Sequence, residues 1–306
     1  MTSLQDLVRE ELAAPVDPRV TDFARHVAGL FGDSARAVLF YGSCLRTTEL
    51  EGQMLDFYVI VSDYRAAYGK RWLAIANRLI PPNVFPVQHE GLQAKYAVLS
   101  ESDFSRLASS QTRNVSVWAR FAQPARLVWS HDNGAADRAV SAISQAAPAL
   151  LEAALPMVDE KVSALDLWRQ AFALTYAAEL RAERQGRAAS VVDFDPDRYR
   201  RFTSPGLGAL GVNVEINGDE PLPLDAPGRS RAARWTWARR RAEGKLLTLA
   251  RLAKASATYA GGVDYLAWKI NRHAGTEITV RPWQRRWPLL GAMVLLPRLL
   301  MRGAVR

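Results

Sequence analysis

The chain has 306 residues, 49% of them hydrophobic, with 40 Lys and Arg against 31 Asp and Glu, a formal net charge of +9 and one cysteine. The apolar share is enough for a folded core, in one large domain or two modest ones. Cys44 alone excludes an internal disulfide and a cysteine-based zinc cluster, and the positive balance points to an acidic partner: nucleotide, nucleic acid or anionic membrane. The four histidines are scattered, with no metal-ligand spacing. The opening "MTSLQDLVREELAAPVDP" has neither the pattern of a signal peptide nor that of an acid-poor transit peptide, so the expected location is cytoplasmic.

In chain order, residues 4–12 and 20–31 read as helices. "AVLFY", Ala37 to Tyr41, reads as a buried strand, and "LDFYVIV", Leu55 to Val61, as a second. A helix is predicted over 66–79, stopped by Pro81-Pro82. "VFPVQHEGLQAKYAVLS" predicts a hairpin turning at Glu90-Gly91, its first strand placed at a sheet edge by Pro86. Helices over 101–110 and 114–122 precede a last strand, Ala125 to Trp129. Beyond residue 133 the pattern gives helices over 135–155 and 160–185, a loop-rich stretch over 193–228, and a basic helix over 230–254. Val263, Leu266, Ala267 and Ile270 then form an apolar stripe.

Gly42-Ser43 follows the first strand, and Asp56 opens the second thirteen residues after Ser43. This arrangement resembles that of polymerase-beta-type nucleotidyltransferases. Glycine lets backbone approach phosphates, while a serine hydroxyl and successive N–H groups bind their oxygens. A carboxylate on the neighbouring strand holds magnesium, which bridges phosphate oxygens. The plainer alternative is a tight turn with a capping serine and an acid at a sheet margin. The usual pattern has a second acid two residues on, sharing a strand face; here that position is Tyr58. Asp63 falls at an odd spacing from Asp56 and is the weaker ligand candidate.

Further stretches carry a closer resemblance. "YGSCLR…MLDFYVIVSD" is similar to the opening motif of the mitochondrial-type phosphatidate cytidylyltransferases, also called the mitochondrial translocator assembly and maintenance proteins, which likewise have a single acid followed by an aromatic. "GLQAKYAVLSESDFSRL" places Lys95 at the family lysine, and "VWARFAQPARLV" matches at Trp118, Gln123 and Pro124. "ALTYAAELR" resembles the family's Tyr-Ser-Gly-Asp segment at Tyr176 and Arg181, with Ala178 replacing the glycine and Glu179 the aspartate. "LAKASATYAGGVDYLAWKI" is loosely similar to a Ser-rich segment. The resemblance spans roughly residues 35–270.

It implies an α+β fold: a polymerase-beta-type nucleotidyltransferase domain with a mixed sheet (1–133), a mostly helical domain with winged-helix-like as one arrangement (134–280), and an amphipathic tail (281–306). It implies condensation of CTP with phosphatidate, or a related lipid phosphate, to a CDP-lipid and pyrophosphate, with Mg2+ as cofactor. In that scheme Gly42 and Ser43 cradle the triphosphate, Asp56 and Glu179 bind the metal, and Lys95 contacts phosphate. Tyr176 and Arg181 shape the nucleotide pocket, and Lys254 and Ser256 hold the acceptor phosphate. Read without the resemblance, Lys95, Glu179 and Arg181 are solvated charges and Tyr176 is core packing.

"RPWQRRWPLLGAMVLLPRLLMRGAVR", Arg281 to Arg306, holds six arginines and no acid. Its apolar run falls short of the roughly 20 residues of a spanning helix. Tryptophans beside arginines, followed by leucines, suit the surface of an anionic membrane, here the inner face of the cell membrane. Two rival readings keep the basic balance: transfer to a different phosphorylated acceptor, or a non-catalytic nucleotide- or nucleic-acid-binding protein. The apolar tail and the lack of an aromatic-basic RNA motif argue against nucleic acid.

Overall fold

The computed structural model describes residues 2–47, 49–159, 161–179, 187–216, 218, 220–224, 230–258 and 279–282. Two helices open the chain, α1 (Leu4–Ala13) and α2 (Pro18–Gly29). Each starts where a side chain satisfies free backbone N–H groups: Ser3 accepts from Asp6 N, and Asp17 from Arg19 N ahead of Pro18. Strand β1 (Ala35–Tyr41) leads through Gly42 into the short α3 (Ser43–Thr47), and β2 (Met54–Val61) follows.

The helix expected over 66–79 divides into α4 (Tyr64–Ala67) and α5 (Arg71–Leu79). Asp63 caps α4, its Oδ1 accepting from Arg65 N at 2.6 Å. The hairpin forms as β3 (Asn83–His89) and β4 (Leu92–Ser100), turning at Glu90-Gly91 with both residues at positive φ. Next come α6 (Glu101–Leu107), the four-residue α7 (Trp118–Phe121) and β5 (Ala125–Ser130).

The sheet runs β3-β4-β2-β1-β5. Only β2 and β4 pair in parallel, so the sheet is mixed, and β3 with Pro86 lies at its edge as the proline requires. Met54–Val61 pairs with Gln93–Ser100 residue for residue, whereas both pairings of β1 contain a register shift.

Alternation along the strands sorts side chains to two faces. Phe40, Leu55, Phe57, Val59 and Tyr96 pack with Phe23 and Val27 of α2. Leu39, Tyr41, Tyr58, Ile60 and Leu99 join an apolar cluster that extends into the later helices. Those are α8 (Asn133–Ser144), α9 (Ala146–Ala154), α10 (Ala164–Ala178), α11 (Arg187–Phe194), α12 (Pro196–Gly208) and α13 (Arg231–Thr258). The expected α+β class, a mixed sheet followed by helices, is what the structure has.

The stretch expected to be loop-rich contains α12. Asp195 caps it, and Tyr199, Phe202, Thr203 and Gly206 form its buried stripe despite Pro205. Arg198 of α12 is buried, ion-paired with Glu11 of α1 and donating to the Ala122 carbonyl after α7 at 3.0 Å. The stripe Val263–Ile270 and the tail from Trp283 lie outside the described residues, as does Arg181. Among the described residues no helix is long and apolar enough to cross a membrane.

Candidate active site

Gly42 has φ +96°, a left-handed conformation that favours glycine. Its Cα also lies hard against Asp56, so that a methyl group there would come within 2.7 Å of Asp56 Oδ2. The cause is register: Tyr41 pairs with Asp56, so the turn after Tyr41 passes over the carboxylate. On the other side Asp56 pairs in parallel with Lys95, whose Nζ stands 3.0 Å from Oδ1. The Asp56 side chain is 16% exposed, open to a small ligand yet shielded from bulk water. Cys44, buried beside the turn, has its thiol pushed up by burial and then by the Asp56 charge.

Asp56 and Tyr58 share a face with Tyr41, and that face meets α7. Arg120 of α7 stacks over the Tyr41 ring at 4.9 Å, and its Nε is buried without a hydrogen-bond partner. Burial acts to lower this guanidinium, but Tyr41, Tyr58, Glu179 and Asp56 together outweigh it and raise it. Asp56 and Glu179 therefore act on one common cation. Arg251 of α13 lies in the same neighbourhood: burial lowers it, Tyr58 and Glu179 offset part of that, and Arg120 adds to it. Arg251 donates to the Pro81 carbonyl at 2.7 Å and to Ser116 Oγ at 2.8 Å, leaving Nη2 unbonded.

Glu179 is half-buried and ends α10, its N–H donating to the Tyr176 carbonyl at 3.4 Å. Tyr176 is half-buried against the large apolar cluster. The C-terminal end of α10 is fixed by α13. A methyl group at Gly244 would fall 2.1 Å from the Ala178 carbonyl oxygen, so glycine is what allows this crossing.

Lys254, given the acceptor phosphate by the resemblance, is held by backbone carbonyls of the chain. Its Nζ donates to the carbonyls of Ile80 and Pro82, and burial, with Arg251 nearby, lowers it to about 7. Ser256 falls within α13, and its side chain lies outside the described residues.

The structure thus brings together Gly42, Ser43, Asp56 and Lys95, and sets Glu179 and Tyr176 at the helical margin. Sequence reasoning missed Arg120 and Arg251. The signal for Arg120 was its place in "VWARF", two residues after Trp118 and flanked by apolar residues. It also missed a second cluster. Asp22, His89 and Glu90 place ligand atoms within 4.8 Å of one another, and His26 stacks on His89 at 4.3 Å between ring centres. His89 pairs with Leu92, so this cluster lies on the α2 face of the sheet, opposite Asp56.

One carboxylate beside a glycine turn fits magnesium in the way that ion is usually held, by one or two carboxylates and otherwise by substrate phosphates. Asp56 is the carboxylate that would hold it there.

No family model matches the chain, and no curated protein matches it. Among solved structures, the crystal structure of a nucleotidyltransferase-like protein from Exiguobacterium sibiricum 255-15 is similar over 93% of this chain and 92% of that one, at 10% identity and a TM-score of 0.29.

Proposed function

We propose that this chain is a nucleotidyltransferase that joins CTP to phosphatidate or a related lipid phosphate, releasing pyrophosphate. The observation that carries the reading is the close seat of Gly42 on Asp56, with Lys95 on the adjoining strand. Such a turn offers backbone N–H groups and the Ser43 hydroxyl to phosphate oxygens. Lys95 and Arg120 set positive charge beside the acid, with Arg251 next to Arg120, an arrangement suited to a triphosphate. Magnesium, when bound, would neutralise charge that develops on the phosphates.

In the reaction a phosphate-monoester oxygen of the acceptor forms a bond to the α-phosphorus of CTP, and the bond from that phosphorus to the bridging oxygen breaks. The nucleophile is already anionic at neutral pH, so the chain need not supply a strong base. Its work is positioning and charge stabilisation. Tyr176 shapes the base or acceptor side, the resemblance gives Arg181 the same role, and the basic apolar tail brings the enzyme to its lipid.

Asp56→Asn in the full-length protein, assayed with CTP, magnesium and phosphatidate by pyrophosphate release, should lose about 100-fold or more, roughly 2.7 kcal/mol of barrier. Turnover within about threefold of wild type, under 1 kcal/mol, would remove the metal role. One observation favours a second reading: Tyr58 stands where a second acid would, and Lys95 already neutralises Asp56. A nucleotide-binding protein without turnover fits that, and CTP binding with no pyrophosphate from any lipid phosphate would identify it.

A further inference from the structure

Among the described residues, helix α5 presents an exposed face with no partner. Trp72, Ile75 and Leu79 are 47%, 59% and 73% exposed. Their spacing of three and four residues puts them on one side of the helix. Arg71 and Arg78 border the same side, and Lys70 precedes it. There is no acid in α5, and Arg65, Lys70, Arg71 and Arg78 form no ion pair among the described residues, where most helix arginines elsewhere do. A cleft of about 690 Å³ opens between α4 and α5, lined by Arg65, Tyr68, Arg71, Ile75, Arg78 and Leu79.

The opposite side of α5 is firmly anchored. Asn77 is fully buried, donating from Nδ2 to the Val98 carbonyl of β4 at 2.9 Å and accepting from Asn83 N. Asn83 Nδ2 donates back to the Leu73 carbonyl at 3.0 Å. Five polar contacts, counting the two that Lys254 makes with Ile80 and Pro82, hold this side of α5 and the turn after it against the sheet.

We propose that this face of α5 is a docking surface for an anionic lipid bilayer, with one phosphate headgroup received in the cleft between Arg65, Arg71 and Arg78. The charge pattern selects the partner. Unpaired arginines beside an exposed tryptophan and two aliphatics match a headgroup layer over an acyl boundary. Nucleic acid would call for stacking aromatics along a basic groove, and only one aromatic is exposed on α5. α13 passes the C-terminal end of α5 at Lys254, whose amine adds to the positive charge there. The inference stands apart from the transferase reading, because a failed transfer assay leaves it intact.

The test uses the full-length protein and vesicles of phosphatidylcholine, alone or enriched in phosphatidylglycerol. Wild type should sediment with the enriched vesicles only. Arg71→Gln with Arg78→Gln should weaken that binding by about 25-fold, at about fivefold per arginine. Ile75→Gln with Leu79→Gln, which change only exposed side chains, should weaken it by about tenfold or more from lost acyl contact. Brominated lipid should quench less of the tryptophan emission in Trp72→Phe than in wild type. Unchanged binding in both double variants, or unchanged quenching in Trp72→Phe, overturns the proposal. So does binding of a single-stranded RNA oligomer that the vesicles do not displace and that both double variants lose.

Discussion

At the scale of the residue, Gly42 is the most constrained position of the candidate site. Its φ of +96° and the 2.7 Å approach to Asp56 Oδ2 penalise any side chain twice. Gly42→Ala should cost about 1–3 kcal/mol from backbone strain, with a further loss as the carboxylate is displaced. Denaturant unfolding should show the first, and CTP binding should fall with the second. Equal stability and equal binding would mean the turn relaxes freely. Gly42 and Asp56 stood out in the sequence because short apolar strands fix both where a strand ends and which residue opens the next, whereas Lys95 was named only through the family resemblance. Arg120 was not, because its role depends on a four-residue helix whose approach to Tyr41 is a tertiary fact. His26 and His89 were read as scattered for the same reason: sixty-three residues apart in sequence, they meet only when the hairpin folds over α2.

At the scale of the element, the crossing of α13 over the end of α10 makes an unusual demand. Glycine inside a helix normally costs about 1 kcal/mol relative to alanine. Gly244→Ala should therefore stabilise an isolated α13. In the protein the sign reverses, because the added methyl meets the Ala178 carbonyl oxygen at 2.1 Å. The expected outcome is a loss of about 1–3 kcal/mol as the helices separate, read by thermal unfolding; a gain in melting temperature would contradict the crossing. Moving α13 also shifts Glu179, so nucleotide binding should weaken along with stability. The sequence showed α13 through its basic composition but misread α12. Proline and glycine in "SPGLGALG" argued for a loop, while the stripe of Tyr199, Phe202 and Thr203 and the Asp195 cap argued for a helix. Burial against α9 and α10 decided in favour of the helix.

At the scale of the whole molecule, the later helices are tied to the sheet by buried charges rather than by apolar contact alone. Arg198 with Glu11 fastens α12 to α1, and Lys254 fastens α13 to the Ile80–Pro82 turn. Lys254 gives a pH signature. Its ordinary value is 10.5 and burial lowers it to about 7 in the folded chain. Between those values the unfolded chain binds more protons, so this group makes stability rise with pH across that window. Below about 7 both states hold the proton and the full burial cost remains. The melting temperature of wild type should therefore gain on that of Lys254→Met as pH rises from about 7 toward 10, whereas a constant difference would place the amine in water. Bulk charge foretold that cations would matter, but not that several would be sunk into the frame. The unbroken parallel alignment of β2 with β4 has one more effect. Two rails laid side by side without slippage keep their gauge even when the track bends. Acid and amine ride on those rails at matching stations, so twisting of the sheet is taken up at the irregular joints of β1 and the gap between them stays constant.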